Sequence, residues 1–330
     1  MPDVKQLGPW VRRFLLEHVV AERNLSLNTQ RSYRDMLAQL LPFVAEAISK
    51  PIDRLLVTDL SATRIRQFLT HLERTRRCGA STRNQRLGAI HAFVRFVGEH
   101  GPEHLEWCGQ IRLIPFKKIL QPGITCLDRA EMNALLATPE HSTPQGQREH
   151  ALLLFLYNSG ARVSEAAQLI IRNVDWHGRC VELLGKGGKL RTCPLWPATL
   201  NALRTIVGER DATQRVFLNR VGQPVTRSGI YALVKRTAAR ACVKAPSLAT
   251  KTISPHVIRH STASHLLRAG VDINTIRGWL GHVNLNTTNI YAEIDLQTKA
   301  KALAACAVAD PARGKPWRKQ PDLMAFLRGL

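Results

Sequence analysis

Acidic residues are scarce in this chain. Asp and Glu total 25 in 330 residues against 47 Lys and Arg, a formal charge of +22 with a pI near 10.5. Such an excess disfavours cationic partners and favours a polyanion, nucleic acid first. The few carboxylates form no cluster of the kind that would hold a divalent metal for phosphodiester hydrolysis. Aromatic residues make up only 6%, and the tyrosines number four: Tyr33, Tyr157, Tyr231 and Tyr291. No apolar run reaches the about 18 residues of a membrane span, and the opening residues lack a signal-peptide core. The basic residues are spread along the chain instead of being gathered on one amphipathic segment, which argues against an anionic membrane surface. The seven cysteines are odd in number and scattered, without a Cys-x-x-Cys pair. A disulfide framework and a structural zinc are therefore not expected. Reduced thiols and a cytoplasmic, nucleoid-associated setting are. Cys180 and Cys193 are expected on neighbouring strands, where a contact between them is conceivable.

What is present divides into two parts. The spacing predicts four helices over residues 8–100. Val11, Phe14, Leu15 and Val19 recur with helical period, and Ser26 offers a cap to a second helix carrying Tyr33, Met36, Leu37, Leu40 and Leu41. Pro42 would kink or end that helix. Ser61 is placed to cap a third, with Ile65, Phe68, Leu69 and Leu72. Ser81 is placed to cap a fourth, with Leu87, Ile90, Phe93 and Val94. The polar positions are rich in arginine, and Arg31, Arg34, Arg83 and Arg86 are expected to track phosphates. Residues 1–105 form this helical domain. Residues 106–126 read as a linker, broken by Pro115 and Pro122-Gly123. Its Lys117 and Lys118 either touch a nucleic-acid backbone or simply solubilise the segment.

The second domain is expected over 127–305, followed by a basic tail at 306–330 that would dock on a neighbouring protomer. Asp128 can cap a helix to Ala137. An apolar helix over 149–158 stops at Gly160, and Ser164 can cap the next. Cys180–Leu184 and Leu190–Leu195 read as two strands joined by the turn Gly185-Lys186-Gly187-Gly188-Lys189. Thr226 or Ser228 caps a basic helix containing Arg227 and Lys235. Ser254-Pro255 opens a helix carrying His256, Arg259 and His260. Asp272 precedes another helix, stopped at Gly281, and Asn286-Thr287 begins the helix of Tyr291. The fold class is mainly α with a small β-sheet (α+β).

The chemistry lies in a few polar residues. Guanidinium groups grip non-bridging phosphate oxygens bidentately, a tyrosine can form a covalent link to phosphorus, and a lysine can protonate a leaving oxygen. His256 and Arg259 stand three apart and so share a helix face. The Gly-rich turn lacks the Gly-x-x-x-x-Gly-Lys-Ser/Thr spacing of a nucleotide loop.

His256-x-x-Arg259-His260, Leu280-Gly281-His282 and Tyr291 nine residues on, with Gly160-Ala161-Arg162-Val163-Ser164-Glu165 and the lysine turn upstream, resemble the tyrosine recombinases of the phage-integrase and Xer type. The resemblance spans roughly residues 10–300. It implies an N-terminal core-binding, SAM-like domain that clamps one side of a duplex. It implies a catalytic domain in which Arg162, Lys186, His256, Arg259 and His282 serve the nucleophile Tyr291. Lys186 would be the general acid, with Lys189 as the alternative. Lys189, Arg227 and Lys235 are added to the expected DNA contacts. Glu165 would steady Arg162, and His260 would be structural. The implied partners are double-stranded recombination sites and three further protomers, identical or related, with no cofactor. The implied activity is strand cleavage and rejoining through a 3′-phosphotyrosyl link, in a mobile element by preference. A type IB topoisomerase-like enzyme or a non-catalytic DNA-binding protein are the alternatives. The family often carries an aromatic residue or Thr-Phe-Ala after the Arg-His pair, where this chain has Ser261-Thr262-Ala263.

Overall fold

The computed structural model describes residues 5–119, 125–185 and 188–281. The chain divides into two units, Met1–Pro122 and Gly123–Leu330. The architecture is mainly helical with one small antiparallel sheet.

The first unit is a helical bundle. Helix α1 (Leu7–Arg12) runs on with π geometry over Arg13–Glu22, followed by α2 (Leu27–Ala47), α3 (Ala62–Arg74), α4 (Ala80–His100) and α5 (Leu105–Arg112). Ser26 and Ser61 cap α2 and α3 by accepting the N–H groups of Thr29 and Arg64. Ser81 caps nothing: α4 starts earlier, after Gly79, and Ser81 lies in its first turn. Pro42 neither ends nor splits α2, which continues to Ala47. An interior proline costs a helix about 3 kcal/mol. Met36, Leu37 and Leu40 before it and Val44 after it are all buried, so one apolar face continues across the proline and offsets that cost. Residues 105–112 also depart from the irregular connection read in the sequence. They form α5, whose Trp107 and Ile111 are buried in the bundle, and the Trp107 indole N–H donates to the Leu60 carbonyl at 3.0 Å. Gly101 and Pro102 interrupt the helical period before it, and they hid the two anchors behind them.

The second unit contains α6 (Arg129–Leu136), α7 (Pro144–Ser159), α8 (Val163–Gln168), strands β1 (Val174–Asp175), β2 (Cys180–Leu184) and β3 (Leu190–Pro194), then α9 (Pro197–Val207), α10 (Arg227–Ala241), α11 (Pro255–Arg268) and α12 (Ile273–Leu280). Its centre is the second half of α7, buried continuously from Ala151 to Ser159; the helix lies against α9 and α11. Asp128 caps α6 reciprocally with Glu131, Thr226 caps α10, and Ser254 and Asp272 cap α11 and α12. The sheet order is β1-β2-β3, with Val181 opposite Cys193 and Leu183 opposite Arg191. This register separates the two cysteines. Cys193 faces the core beside Val181, whereas Cys180 pairs with Pro194, one residue out of phase, and both thiols are free. The two-residue β1 and helix α9 were not legible as elements in the sequence.

Candidate active site

The site is assembled where three connections meet: the α7–α8 turn, the β2–β3 hairpin and the end of α12. Helix α7 stops at Gly160, which adopts a left-handed conformation (φ 57°). A side chain there would be strained twice. The positive φ penalises any L-residue with a Cβ, and a Cβ would lie 2.5 Å from Leu280 Cδ2. Two residues later Arg162 stands at the N-cap position of α8. Its own N–H is taken by the Glu165 carboxylate at 2.8 Å, so Ser164 lies inside the helix and is not its cap.

Glu165 is the hub of the charges. One carboxylate oxygen accepts from Arg162 Nη1 at 2.8 Å; the other accepts from Arg191 Nη2 at 2.7 Å. The Glu165 side chain is 2% exposed, Arg191 8% and Arg162 27%. Burial alone would raise the Glu165 pKa. The hydrogen bonds and charges of Arg191 and Arg162 override burial and hold it below the usual carboxylate value. Burial likewise opposes the charge on Arg191, and Glu165 more than restores it.

The end of α12 completes the arrangement. A helix leaves its last carbonyls without intrahelical donors and concentrates negative potential there. Here three successive carbonyls are each met by a different arginine. Trp279 O accepts from Arg191 Nε at 2.8 Å, Leu280 O from Arg259 Nη2 at 2.6 Å and Gly281 O from Arg162 Nη2 at 3.0 Å. Arg259, 4% exposed on α11, also donates to the Gly160 carbonyl. The left-handed Gly281 then turns the chain toward residue 282.

His256 sits in the first turn of α11, exposed, on the same face as Arg259 and in edge contact with the Tyr231 ring at 6.5 Å. Partial desolvation, then the cations Arg259, Arg162 and Arg227, hold its pKa below the ordinary histidine value, which favours the neutral imidazole. Arg227 itself is exposed at the start of α10. His260 is half-buried and also shifted downward, by burial first and then by His256 and Arg259. Ser261 and Thr262, the departure from the family pattern, act as ties. Ser261 Oγ accepts from the Leu127 N–H, and Thr262 Oγ1 donates to the Tyr157 carbonyl at 2.7 Å.

The structure thus brings together Arg162, Arg259 and His256 of the expected set. Lys186, His282 and Tyr291 lie outside the described residues, as does the tail at 306–330. Lys189 is exposed at the mouth of the hairpin, where its carbonyl accepts from Gly185 N at 2.8 Å, and Lys235 is exposed on α10. In the first unit Arg31 is exposed, Arg34 is exposed but paired with Asp35 at 2.7 Å, and Arg86 is half-buried near the Ser32 carbonyl. Arg83 does not belong with them. It is 7% exposed and its Nη1 donates to the Pro115 carbonyl at 2.8 Å, which makes it a structural strut. Lys117 is drawn into an ion pair with Glu73. The residue that sequence reasoning missed is Arg191. Its signal was an arginine in phase with Cys193 on the inward face of a strand, beside the lysine turn.

Comparison with known proteins shows the family of the chain. The signature described as "Phage integrase family" matches residues 125–298, and that described as "Phage integrase, N-terminal SAM-like domain" matches residues 12–101. A Sinorhizobium fredii protein, y4rC, whose name provisionally assigns it as an integrase/recombinase, is 35% identical over 98% of both chains. Tyrosine recombinase XerC of Pelobacter propionicus is 33% identical over 87% of this chain and 91% of its own. In fold, the Tn1549 transposon integrase in complex with circular intermediate DNA is similar at a TM-score of 0.68, with 15% identity, covering 89% of this chain and 99% of that one. The XerH site-specific recombinase bound to a palindromic difH substrate is similar at 0.64, with 22% identity, covering 86% and 81%. A basic two-part chain, with an arginine-lined site in the part that carries the integrase signature, belongs to the phage integrase family of tyrosine recombinases.

Proposed function

We propose that this protein cleaves and rejoins duplex DNA at a specific site, with Tyr291 as nucleophile. The observation that carries the reading is the convergence of Arg162 and Arg259 on the carbonyls at the end of α12, directly before His282. Cleavage at phosphorus builds negative charge on the equatorial oxygens, and preorganised cations placed there lower the barrier most. In this reading Arg162 and Arg259 exchange carbonyl partners for non-bridging oxygens, and His282 donates to one of them. Tyr291 Oη forms the bond to phosphorus as the P–O5′ bond breaks. Its proton passes to His256, whose neutral imidazole can accept it, and Lys186 protonates the leaving 5′-oxygen. A 5′-hydroxyl from a partner strand then attacks the phosphotyrosine and regenerates the phenol. Each step exchanges one phosphodiester for another, so no external energy enters.

The duplex is engaged by the basic surface of both units, with Arg31, Lys189, Arg227 and Lys235 as exposed phosphate contacts. The complete reaction takes four protomers on two sites, and the tail at 306–330 docks one protomer on the next. A mobile element is the setting we favour, since the +22 charge and basic tail exceed what the catalytic core requires.

The test is trapping on nicked duplexes, selected by the protein from a random-sequence pool and run on denaturing gels. A covalent protein–DNA band in wild type that is lost in Tyr291→Phe supports the reading. Intact binding without a band removes it. A band on any supercoiled plasmid, with relaxation, would favour a topoisomerase-like enzyme instead.

A further inference from the structure

Arg191 has no part in the reaction proposed above, yet it is built into the same site. It is 8% exposed and sits on β3 opposite Leu183, in a position where the strand pattern calls for an apolar side chain. Burying a guanidinium is costly unless it is paired and hydrogen-bonded. Two of its nitrogens are engaged, Nη2 with Glu165 and Nε with the Trp279 carbonyl. Its Nη1 is buried and has no hydrogen-bond partner among the described residues. That nitrogen lies between two glycines: a Cβ on Gly281 would be 3.4 Å from it and one on Gly185 3.7 Å. These glycines immediately precede His282 and Lys186.

The charge balance gives Arg191 a purpose. Glu165 is 2% exposed and ionised, and it bonds Arg162 through both the side chain and the backbone. With Glu165 as its sole charged neighbour, Arg162 would be neutralised as one half of an ion pair, and a phosphate would meet little net charge. Adding Arg191 to the same carboxylate makes the triad Arg162–Glu165–Arg191 net positive by one charge. Glu165 still orients Arg162, while Arg191 offsets its negative charge. The bond to the Trp279 carbonyl fixes the triad to the end of α12, on which Arg259 also closes.

We propose that Arg191 is a positioning residue of the cleavage site, which keeps Arg162 effectively cationic toward the scissile phosphate by sharing Glu165. The proposal rests on the recombinase reading above. It predicts that the need for Arg191 depends on the charge of the phosphate and on the charge at position 191.

The experiment uses the full chain and the nicked duplex that traps wild type. Single-turnover formation of the Tyr291-dependent covalent complex is measured for wild type, Arg191→Met and Arg191→Lys. Each is tested on the ordinary phosphodiester and on a methylphosphonate at the scissile position, which lacks the negative charge. On the phosphodiester, Arg191→Met should slow cleavage on the order of ten- to a hundredfold with DNA affinity little changed, because charge stabilisation acts in the transition state. Arg191→Lys should recover most of that loss. On the methylphosphonate, Arg191→Met and wild type should react at similar rates. An equal loss on both substrates, or no recovery with lysine, would mean that Arg191 is only a structural tie and would overturn the proposal, as would an unchanged rate in Arg191→Met. If Arg191→Met does not fold, the lysine variant decides: a rate within a few-fold of wild type on both substrates supports charge sharing, and a large loss on both overturns it. Absence of a covalent complex in wild type on every selected duplex would instead be failure of the recombinase reading itself.

Discussion

Arg162 Nη2 donates to the carbonyl oxygen of Gly281 at 3.0 Å, across 119 positions of sequence. This bond joins the segment after α7 to the end of α12, and with it the two motifs whose combination marks the family. The neighbouring carbonyls of Leu280 and Trp279 are held by Arg259 and Arg191. Three guanidinium groups therefore define where the chain leaves α12 toward His282 and Tyr291. Arg162 and Arg259 are thereby held on backbone carbonyls at the end of α12.

Gly160→Ala should damage both stability and cleavage. The new methyl meets Leu280 Cδ2, and the positive φ adds strain of about 1–3 kcal/mol. Because the Gly160 carbonyl also holds Arg259, relief of the clash displaces that arginine. Urea unfolding should show the lower midpoint, and the covalent-complex yield should fall further than occupancy of the folded state explains. An unchanged yield would show that α12 tolerates the shift.

Tyr157→Phe separates a structural tyrosine from the nucleophile. Tyr157 OH bonds His265 Nδ1 at 2.8 Å in the core, and burial raises its pKa, so it stays a protonated phenol. Its loss leaves a buried imidazole nitrogen unpaired, a cost of about 1–3 kcal/mol. The variant should unfold at lower urea yet still form the covalent complex, whereas Tyr291→Phe should keep its stability and form none. Loss of the complex in folded Tyr157→Phe would contradict this assignment.

Stability should fall in mild acid. His150, His256, His260 and His265 all have pKa values below the ordinary 6.5, with burial the first cause in each. The unfolded chain then binds more protons than the folded one, so stability rises with pH through this range. It is complete above the unfolded histidine value and is lost as the pH drops below about 6.5. Glu131 and Glu165 are shifted below the usual carboxylate value, so their contribution persists through this window and is lost only in stronger acid. Urea midpoints at about pH 8, 6.5 and 5.5 would reveal the first phase, and His265→Gln should shrink it.

Arg31 and Arg83 should behave oppositely. Arg31→Ala removes an exposed cation and should lower DNA affinity, with the slope of log K against log salt reduced by about 1. Arg83→Met removes the strut to the Pro115 carbonyl and should lower stability while leaving the salt slope unchanged. Fluorescence anisotropy over a salt series, beside urea unfolding, distinguishes them. A reduced slope in Arg83→Met would return that residue to the phosphate contacts.

Much of this molecule follows from local rules that act over a few residues. Ser26, Ser61, Asp128, Thr226, Ser254 and Asp272 cap helices because a side-chain oxygen at the N-cap reaches the orphan N–H three residues on. Gly160 and Gly281 end helices because glycine, lacking a Cβ, enters the left-handed region at little cost. The order and spacing of Arg162, His256 and Arg259 likewise announced the site, and His256 and Arg259 share a face by helical period alone. What needed the tertiary structure was every decision made by a distant partner. Pro42 stays within a helix because buried residues on both sides of it hold one face together. Arg83 turns inward because the Pro115 carbonyl is there, and α5 forms because Trp107 finds the Leu60 carbonyl. Arg191 shows the difference most clearly. Its strand and phase could be read in the sequence, but its role depends on Glu165 and on the last carbonyls of α12, brought to it from 26 residues upstream and 88 downstream. Spacing specifies which side chains share an element; only packing decides which charges share a site.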